Sequence, residues 1–204
     1  MKITVTFDEP LLGTLAGDPE LAREFIASKA PNGGNGDEAE AIENLDESLV
    51  KGSTVFPRTA DDCPFLWDYQ VKGFFKEACR AMIDMEVLTQ AELKAARLTA
   101  YLYKKTIDNL IFVGPRRIPL MLPAGGIMGW CERPLRGETM RGERIALARS
   151  EEAPAGTTIQ FEVISMNKAL LPYILRWLEY GKLKGLGQWR NSGKGRFSFS
   201  VIAD

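Results

Sequence analysis

The sequence predicts an α+β protein, and two kinds of periodicity support that class. Residues 2–7, 157–166 and 197–201 alternate apolar with polar side chains, which is the period of a half-buried strand. Residues 69–82 and 168–180 carry apolar side chains three and four positions apart, as amphipathic helices do. Strands and helices therefore mix along a single chain.

Composition indicates one globular domain. The chain has 204 residues, of which 45% are hydrophobic and 26% charged, so it can bury its own core. No apolar run approaches the roughly 20 residues that cross a bilayer, and the amino terminus has the pattern of a strand rather than of a signal peptide. We expect a cytoplasmic protein that forms one domain over residues 1–204.

The first half of the chain alternates short elements with one insertion. After the opening strand, Asp18 and Pro19 begin a predicted helix that continues to residue 29. Residues 32–50 are rich in glycine and acidic side chains and poor in large apolar ones, so they predict a flexible acidic insertion. A short strand is expected over residues 54–58. In the helix over 69–82, three cations lie four residues apart on a face of their own: Lys72, Lys76 and Arg80.

The second half adds strands, a basic segment and a second helix. Residues 88–106 predict further helix, and residues 110–122 a strand interrupted by Pro115 and Pro119. Residues 124–150 are expected to form an arginine-rich arm or hairpin insertion, because few large apolar side chains accompany its arginines. Asn167 is positioned to cap the helix over 168–180, and Gly181 is its predicted end.

The order strand, helix, two strands, helix, strand predicts a ferredoxin-like (RRM-like) βαββαβ core with insertions and a glycine-rich loop near the carboxy terminus. That loop spans residues 184–196 and contains Gly185, Gly187, Gly193 and Gly195. Glycines allow positive φ angles and close approach to the main chain, and successive free amides bind anions. Lys184, Arg190, Lys194 and Arg196 would strengthen attraction to phosphate, and Trp189 offers a surface for a base. The alternative is a flexible turn with Trp189 in the core.

Charge and residue usage narrow the function. Residues 18–62 hold eleven acidic and four basic side chains, whereas residues 104–196 hold sixteen basic and eight acidic ones, which favours a basic face for a polyanion. The chain has no histidine, and Cys63, Cys79 and Cys131 form no CxxC pair, so we expect reduced cysteines, no metal and no cofactor. Asp37 and Asp46 remain candidates for metal-assisted cleavage of RNA, by location only. Tyr101 and Tyr103 are candidates for cleavage without a metal. Binding without catalysis is favoured over both.

Four segments in order make the chain similar to the RAMP superfamily, specifically to the Cas7-like backbone subunits of CRISPR effector complexes. They are the first strand running into Glu9-Pro-Leu-Leu-Gly13, the segment from Phe65 to Arg80, the strand entered through Pro154-Ala-Gly-Thr157, and the loop from Gly185 to Phe197. The resemblance spans nearly the whole chain, and a stand-alone phage or prophage member would fit its small size.

The resemblance implies that the protein binds an RNA strand through its phosphates, in a head-to-tail filament or with other RAMP-like proteins. It places three groups of residues on the nucleic acid: Lys72, Lys76 and Arg80 on the helix; Arg133, Arg136, Arg141 and Arg144 on the arm; and Gly185, Gly187, Gln188, Arg190, Gly193, Gly195 and Arg196 in the loop. The residues of the loop add Trp189 and Lys194 to these candidates. Two alternatives stay open. One is a single-stranded DNA-binding protein of phage recombination or replication, and the other is a protein-interaction module that antagonises a host CRISPR complex.

Overall fold

The structure is a computed structural model that describes residues 1–18, 52–139 and 142–202, with the backbone alone described between 135 and 146. The predicted helix that ends at residue 29 and the acidic insertion over 32–50 lie outside the described residues. The same is true of Asp37, Asp46 and Arg141.

The described strands and helices follow one another in a mixed order. The first half contains β1 (Lys2–Phe7), β2 (Leu11–Leu12), β3 (Leu15–Ala16), β4 (Ser53–Val55), β5 (Phe65–Trp67), α1 (Asp68–Asp84), α2 (Gln90–Ala95) and α3 (Tyr103–Leu110). The second half contains β6 (Ile111–Gly114), β7 (Arg117–Pro119), β8 (Gly129–Thr139), β9 (Gly142–Ala153), β10 (Thr158–Ser165), α4 (Leu171–Lys184) and β11 (Phe197–Ile202). The predicted α+β class is confirmed.

A four-stranded antiparallel sheet forms the centre of the fold, in the order β11-β1-β10-β6. Strand β10 lies between β1 and β6, so the connection from β1 to β6, which includes α1, passes over a strand that comes later in the chain. The connection from β10 to β11 is made by α4 and the glycine-rich loop. Alternate residues Ile3, Val5 and Phe7 of β1 are buried, as their period predicts.

Helices α1 and α4 contribute to one hydrophobic core with the apolar face of this sheet. The predicted core residues of α1, Val71, Phe74, Phe75, Ala78 and Met82, are all buried. From α4, Ile174, Trp177 and Leu178 join the same cluster. The edge of the Phe74 ring meets Phe197 of β11 at a centroid distance of 6.0 Å, which ties helix to sheet.

A second sheet lies along the long strand β9, which pairs with β8, β2 and β4. Strands β8 and β9 pair antiparallel without a break in register from Gly129↔Glu152 to Thr139↔Gly142, and so form a long hairpin. Its base packs beside the segment that follows β1, because Leu11 and Leu12 pair with Ala153 and Glu152. The arginine-rich segment is thereby anchored next to the glycine-rich loop.

Two elements differ from the sequence prediction. Helix α4 does not end at Gly181 but continues to Lys184, and Gly185, whose φ of +83° suits glycine, caps it. Gly181 serves a different purpose, since a Cβ there would overlap the Phe197 ring and lie 2.7 Å from Phe74. The segment over 88–106 is also not one helix, because α2 ends at Ala95 and Arg97 adopts a positive φ of +56° before α3 begins.

Candidate nucleic-acid interface

The glycine-rich loop is folded against the chain that follows β1. The amide of Gly195 donates to the carbonyl of Pro10 at 2.9 Å, and the amide of Leu186 donates to the carbonyl of Gly195 at 2.9 Å. A Cβ on Gly195, where φ is +72°, would overlap the carbonyl of Leu186. Glycine is therefore required here for the loop to close on its own main chain, a packing role that spacing alone does not reveal.

Part of the loop's main chain remains available. The amides of Gly185, Leu186, Ser192, Gly193 and Gly195 donate to main-chain carbonyls. The four successive amides of residues 187–190 have no main-chain acceptor within the described ranges. Gly187 and Trp189 in this stretch have φ angles of +85° and +51°, so the chain turns through left-handed backbone where these amides lie. Such a turn can present several N–H groups to one anion.

Gln188 connects the loop to three other segments. Its Nε2 donates to the carbonyl of Gly13 at 2.7 Å and to Oγ1 of Thr54 at 3.2 Å, while its Oε1 accepts from Nη2 of Arg133 at 3.1 Å. The side chain is thus committed to internal hydrogen bonds. The structure makes Gln188 a residue that positions the loop and Arg133.

Arg133 is the most unusual cation in this region. Only 7% of it is exposed, yet its hydrogen bonds go to two neutral groups, Oγ of Ser150 at 3.1 Å and Oε1 of Gln188. Its Nε has no hydrogen-bond partner, and no carboxylate pairs with it among the described residues. Burying a guanidinium without an opposite charge is costly. The arrangement therefore leaves an attractive position for an anion.

Trp189 lies directly beside that cation. Its side chain is 41% exposed, and the guanidinium of Arg133 lies 5.1 Å from the centre of its ring. Arg133 therefore supports an indole that is open to solvent instead of one buried in the core. An exposed aromatic face next to a cation and free amides can stack a base while its phosphate is held nearby.

The other loop cations have partners, with one exception. Nη1 of Arg190 is 2.7 Å from each carboxylate oxygen of Glu77 on α1, and Nζ of Lys194 is 2.7 Å from Glu152 on β9. Lys184 donates to Oδ1 of Asn191 at 3.1 Å. Arg196 is exposed, stands next to Gly193, and forms no ion pair within the described part of the chain. These side chains surround the loop, but Arg190 and Lys194 already form ion pairs with carboxylates.

The basic face predicted on α1 packs toward α3. Lys76 forms an ion pair with Asp108 at 2.5 Å, and Lys72 donates to the main-chain carbonyl of Asp108 at 2.9 Å. Burial lowers the pKa of Lys72, and Asp108 partly opposes that effect. Arg80 is half-exposed and bonds Asp84 one turn away at 2.8 Å. All three predicted binding cations of α1 therefore already contact an aspartate of this protein.

The arm residues are placed to different degrees. Arg136 pairs with Ile145, and Arg144 with Gly137, in the backbone register of the hairpin. Arg133 alone among the predicted arm residues is described with its side chain and reaches the loop. Arg133, Gln188 and Trp189 form one contiguous group, whereas Lys72, Lys76 and Arg80 belong to the interface of α1 with α3.

Several contributing residues were not identified from the sequence. Glu77 and Glu152 neutralise loop cations, and Gln70 caps α1 through its Oε1 while its Nε2 donates to Thr14 beside the loop at 2.7 Å. Glu77 and Arg190 are 113 residues apart, so no spacing rule connects them. A capping glutamine three residues into a helix is a recognisable signal, and it marks Gln70 in retrospect.

Comparison with solved structures shows a likeness of fold. No protein-family model matches the chain, and no curated protein matches it in sequence. Among solved structures, a chain from a cryo-EM structure of the type III-B Cmr-beta complex bound to cognate target RNA is similar, with a TM-score of 0.56 and 11% identity. The match covers 99% of this chain and 58% of that chain. At this identity the likeness concerns the fold.

Neither a helix long and apolar enough to cross a membrane nor a cluster of three side chains suited to a metal ion is found in the described ranges. All three cysteines are free, and burial raises the pKa of the Cys79 thiol to about 12.

Proposed function

We propose that this protein binds single-stranded RNA without cleaving it, and that the group of Arg133, Gln188 and Trp189 is the centre of the binding site. The observation that carries the proposal is the buried guanidinium of Arg133, which has no carboxylate partner within the described ranges and lies against the partly exposed indole of Trp189. A phosphate would supply a negatively charged partner for the guanidinium of Arg133, and a base would stack on the indole of Trp189. One nucleotide offers both groups.

The fold supports the same proposal. In this sheet the inner strand β10, which comes later in the chain, separates β1 from β6. That is the arrangement expected of a ferredoxin-like, split βαβ core, and we propose that it is a RAMP-like one. The structural neighbour was captured with RNA bound. RNA is for this reason preferred over DNA, although the contacts to phosphate and base do not themselves depend on the 2′-hydroxyl.

The loop completes the site. The amides of residues 187–190 can hydrogen-bond phosphate oxygens, and Arg196 contributes an exposed charge without a carboxylate of its own among the described residues. Binding without chemistry agrees with a chain that contains no histidine to act as general base. The expected affinity is salt-dependent, because each phosphate contact releases counterions.

The test is a binding titration with labelled RNA and with DNA of the same sequence at two salt concentrations. We expect the wild type to bind RNA more tightly, and binding to weaken as salt rises. Arg133→Met removes the charge but keeps the bulk, so RNA affinity should fall while thermal stability is unchanged or rises, because a buried unpaired charge disappears. Trp189→Ala should weaken binding by about 5- to 150-fold, from ~1 to 3 kcal/mol per stacked base.

Tyr101→Ala is the matched control, since Tyr101 is an aromatic residue that is 96% exposed and remote in sequence from the loop. It should bind RNA as the wild type does. Absence of RNA binding by the wild type at low salt would refute the proposal, as would unchanged binding by both site variants. Tighter binding of DNA would favour the DNA alternative, and shortening of the RNA during incubation would contradict the absence of catalysis.

A further inference from the structure

Among the strands that the structure describes, none covers the outer edge of the central sheet at β11. Strand β11 pairs with β1 on one side, and no described strand pairs with it on the other. It is six residues long, Phe197–Ile202, and four of these residues are exposed: Ser198, Ser200, Val201 and Ile202. An open edge presents a row of main-chain donors and acceptors to any strand that can approach it.

This edge lacks the usual protections. Natural edge strands are kept apart by charged side chains, prolines, bulges or very short length. Strand β11 reads Phe-Ser-Phe-Ser-Val-Ile, with no charge and no proline, and its register with β1 runs one-to-one from Phe7↔Phe197 to Lys2↔Ile202, so it contains no bulge. The opposite edge, β6, has only four residues and is followed by Pro115.

Apolar side chains are exposed along the same edge. Val201 and Ile202 are 44% and 43% exposed. Three cations lie near this edge: Arg196 directly precedes the strand, Lys2 of β1 is paired with Ile202, and Nζ of Lys182 on α4 lies 5.0 Å from the centre of the Phe199 ring and 2.9 Å from Glu179. The six residues of the strand itself are nevertheless uncharged and partly apolar.

We propose that β11 is a self-association surface, on which a second copy of this chain pairs its own β11 antiparallel about a two-fold axis. Directly opposed residues in an antiparallel pair point to the same face of the sheet. Neighbouring residues of a strand point to opposite faces, so a residue cannot oppose its own neighbour in the second copy. The two-fold axis must therefore lie where one residue opposes the same residue of the second copy. With Ser200 at that position, Ser198 opposes Ile202 and Phe199 opposes Val201 of the second copy.

This register suits a second copy for two reasons. It places the β-branched Val201 against the half-buried ring of Phe199 twice, and aromatic residues paired with β-branched ones stabilise antiparallel strands. It also brings no like charges of the two strands together, since the six residues of each strand have none. The result joins two four-stranded sheets into one across the axis.

The inference goes beyond RNA binding and gives a different assembly from a filament. Two-fold pairing of one edge uses the same patch on both copies and closes after two subunits. A head-to-tail arrangement uses two different patches and continues.

Sedimentation velocity of the full chain over a range of concentrations, without RNA, tests the proposal. The wild type should form dimers and no larger species. Ser200→Lys places two ammonium groups together at the axis, as edge lysines do in natural sheets, and should shift the equilibrium to monomer. The control Gln160→Lys adds the same charge on exposed Gln160 of the interior strand β10 and should remain dimeric.

A second variant tests the register of the two strands and adds no charge to β11. Ser200→Cys should form a covalent dimer on mild oxidation, at a yield well above that of Gln160→Cys or of the wild type with its own cysteines. A wild type that stays monomeric at every concentration would overturn the proposal, and so would a Ser200→Lys variant that is folded and still dimeric.

Discussion

Removing the carboxylate of Glu77 should strengthen RNA binding. Nη1 of Arg190 contacts both oxygens of Glu77 at 2.7 Å, and their side chains are 24% and 42% exposed, respectively. A partly exposed ion pair of this kind contributes up to ~1 kcal/mol. A phosphate that recruits Arg190 must first break this contact, so Glu77→Gln should improve affinity by up to about fivefold, since 1.4 kcal/mol corresponds to a factor of ten.

The salt dependence of RNA binding by Glu77→Gln provides a second, independent measure of the effect. Each additional cation that neutralises a phosphate of a single strand steepens the slope of log affinity against log salt by about 0.7. Fluorescence anisotropy of labelled RNA at four or more salt concentrations measures this slope. If Arg190 is freed to contact the strand, the slope of Glu77→Gln should be steeper than that of the wild type by about that amount.

Glu179→Gln is the matched control, because it removes one negative charge from another partly exposed ion pair, that with Lys182 at 2.9 Å, which does not include a loop residue. Its slope should match that of the wild type. Equal gains in affinity for the two variants would show that only net charge matters. No gain for Glu77→Gln in a protein that otherwise binds RNA would refute the idea that Glu77 competes with phosphate.

Four further predictions concern the loop, helix α1 and the core. Trp189→Phe should keep most of the RNA affinity lost in Trp189→Ala, because a smaller ring still stacks a base; equal losses in anisotropy titrations would contradict stacking. Gly195→Ala should lower the free energy of unfolding by at least about 2 kcal/mol, because it combines an unfavourable positive φ with overlap of the Leu186 carbonyl. Gly73→Ala, in α1 with open space around it, should raise the free energy of unfolding by about 0.5 to 1 kcal/mol. Urea titrations of both glycine variants measure these changes. Cys79, whose pKa is raised to about 12, should resist thiol reagents at pH 8 in the folded protein, while the partly exposed Cys63 and Cys131 react.

The Cys79 thiol also gives a pH dependence with a definite sign. Its ordinary pKa is 9.0, and the raised value in the folded state means that the unfolded chain loses this proton first as pH rises. The stabilising contribution of the neutral thiol is complete below pH 9 and is lost progressively toward pH 12. Cys79→Ala should remove this part of the alkaline loss in stability, and an unaltered pH profile would contradict the assignment.

Local periodicity was sufficient for much of the fold. The strands over 2–7, 157–166 and 197–201 and the helix over 69–82 appear within a few residues of their predicted ends, since burial on one face imposes a period that is visible in the sequence. The role of Gly181 was not predictable in this way. A glycine after an apolar helix signals an end, but here it admits the rings of Phe74 and Phe197, which come from distant parts of the chain.

The sequence by itself determined that glycines, cations and a tryptophan are concentrated near the carboxy terminus, and that histidine chemistry is absent. Only the tertiary structure decided which cations have carboxylate partners: Arg190 meets Glu77, Lys194 meets Glu152 and Lys76 meets Asp108, whereas Arg133 is buried without one in the part of the chain that the structure describes. The physical reason is that charge pairing depends on distances of a few ångströms between side chains. Those distances are set by strand pairing and helix packing, and not by separation along the chain.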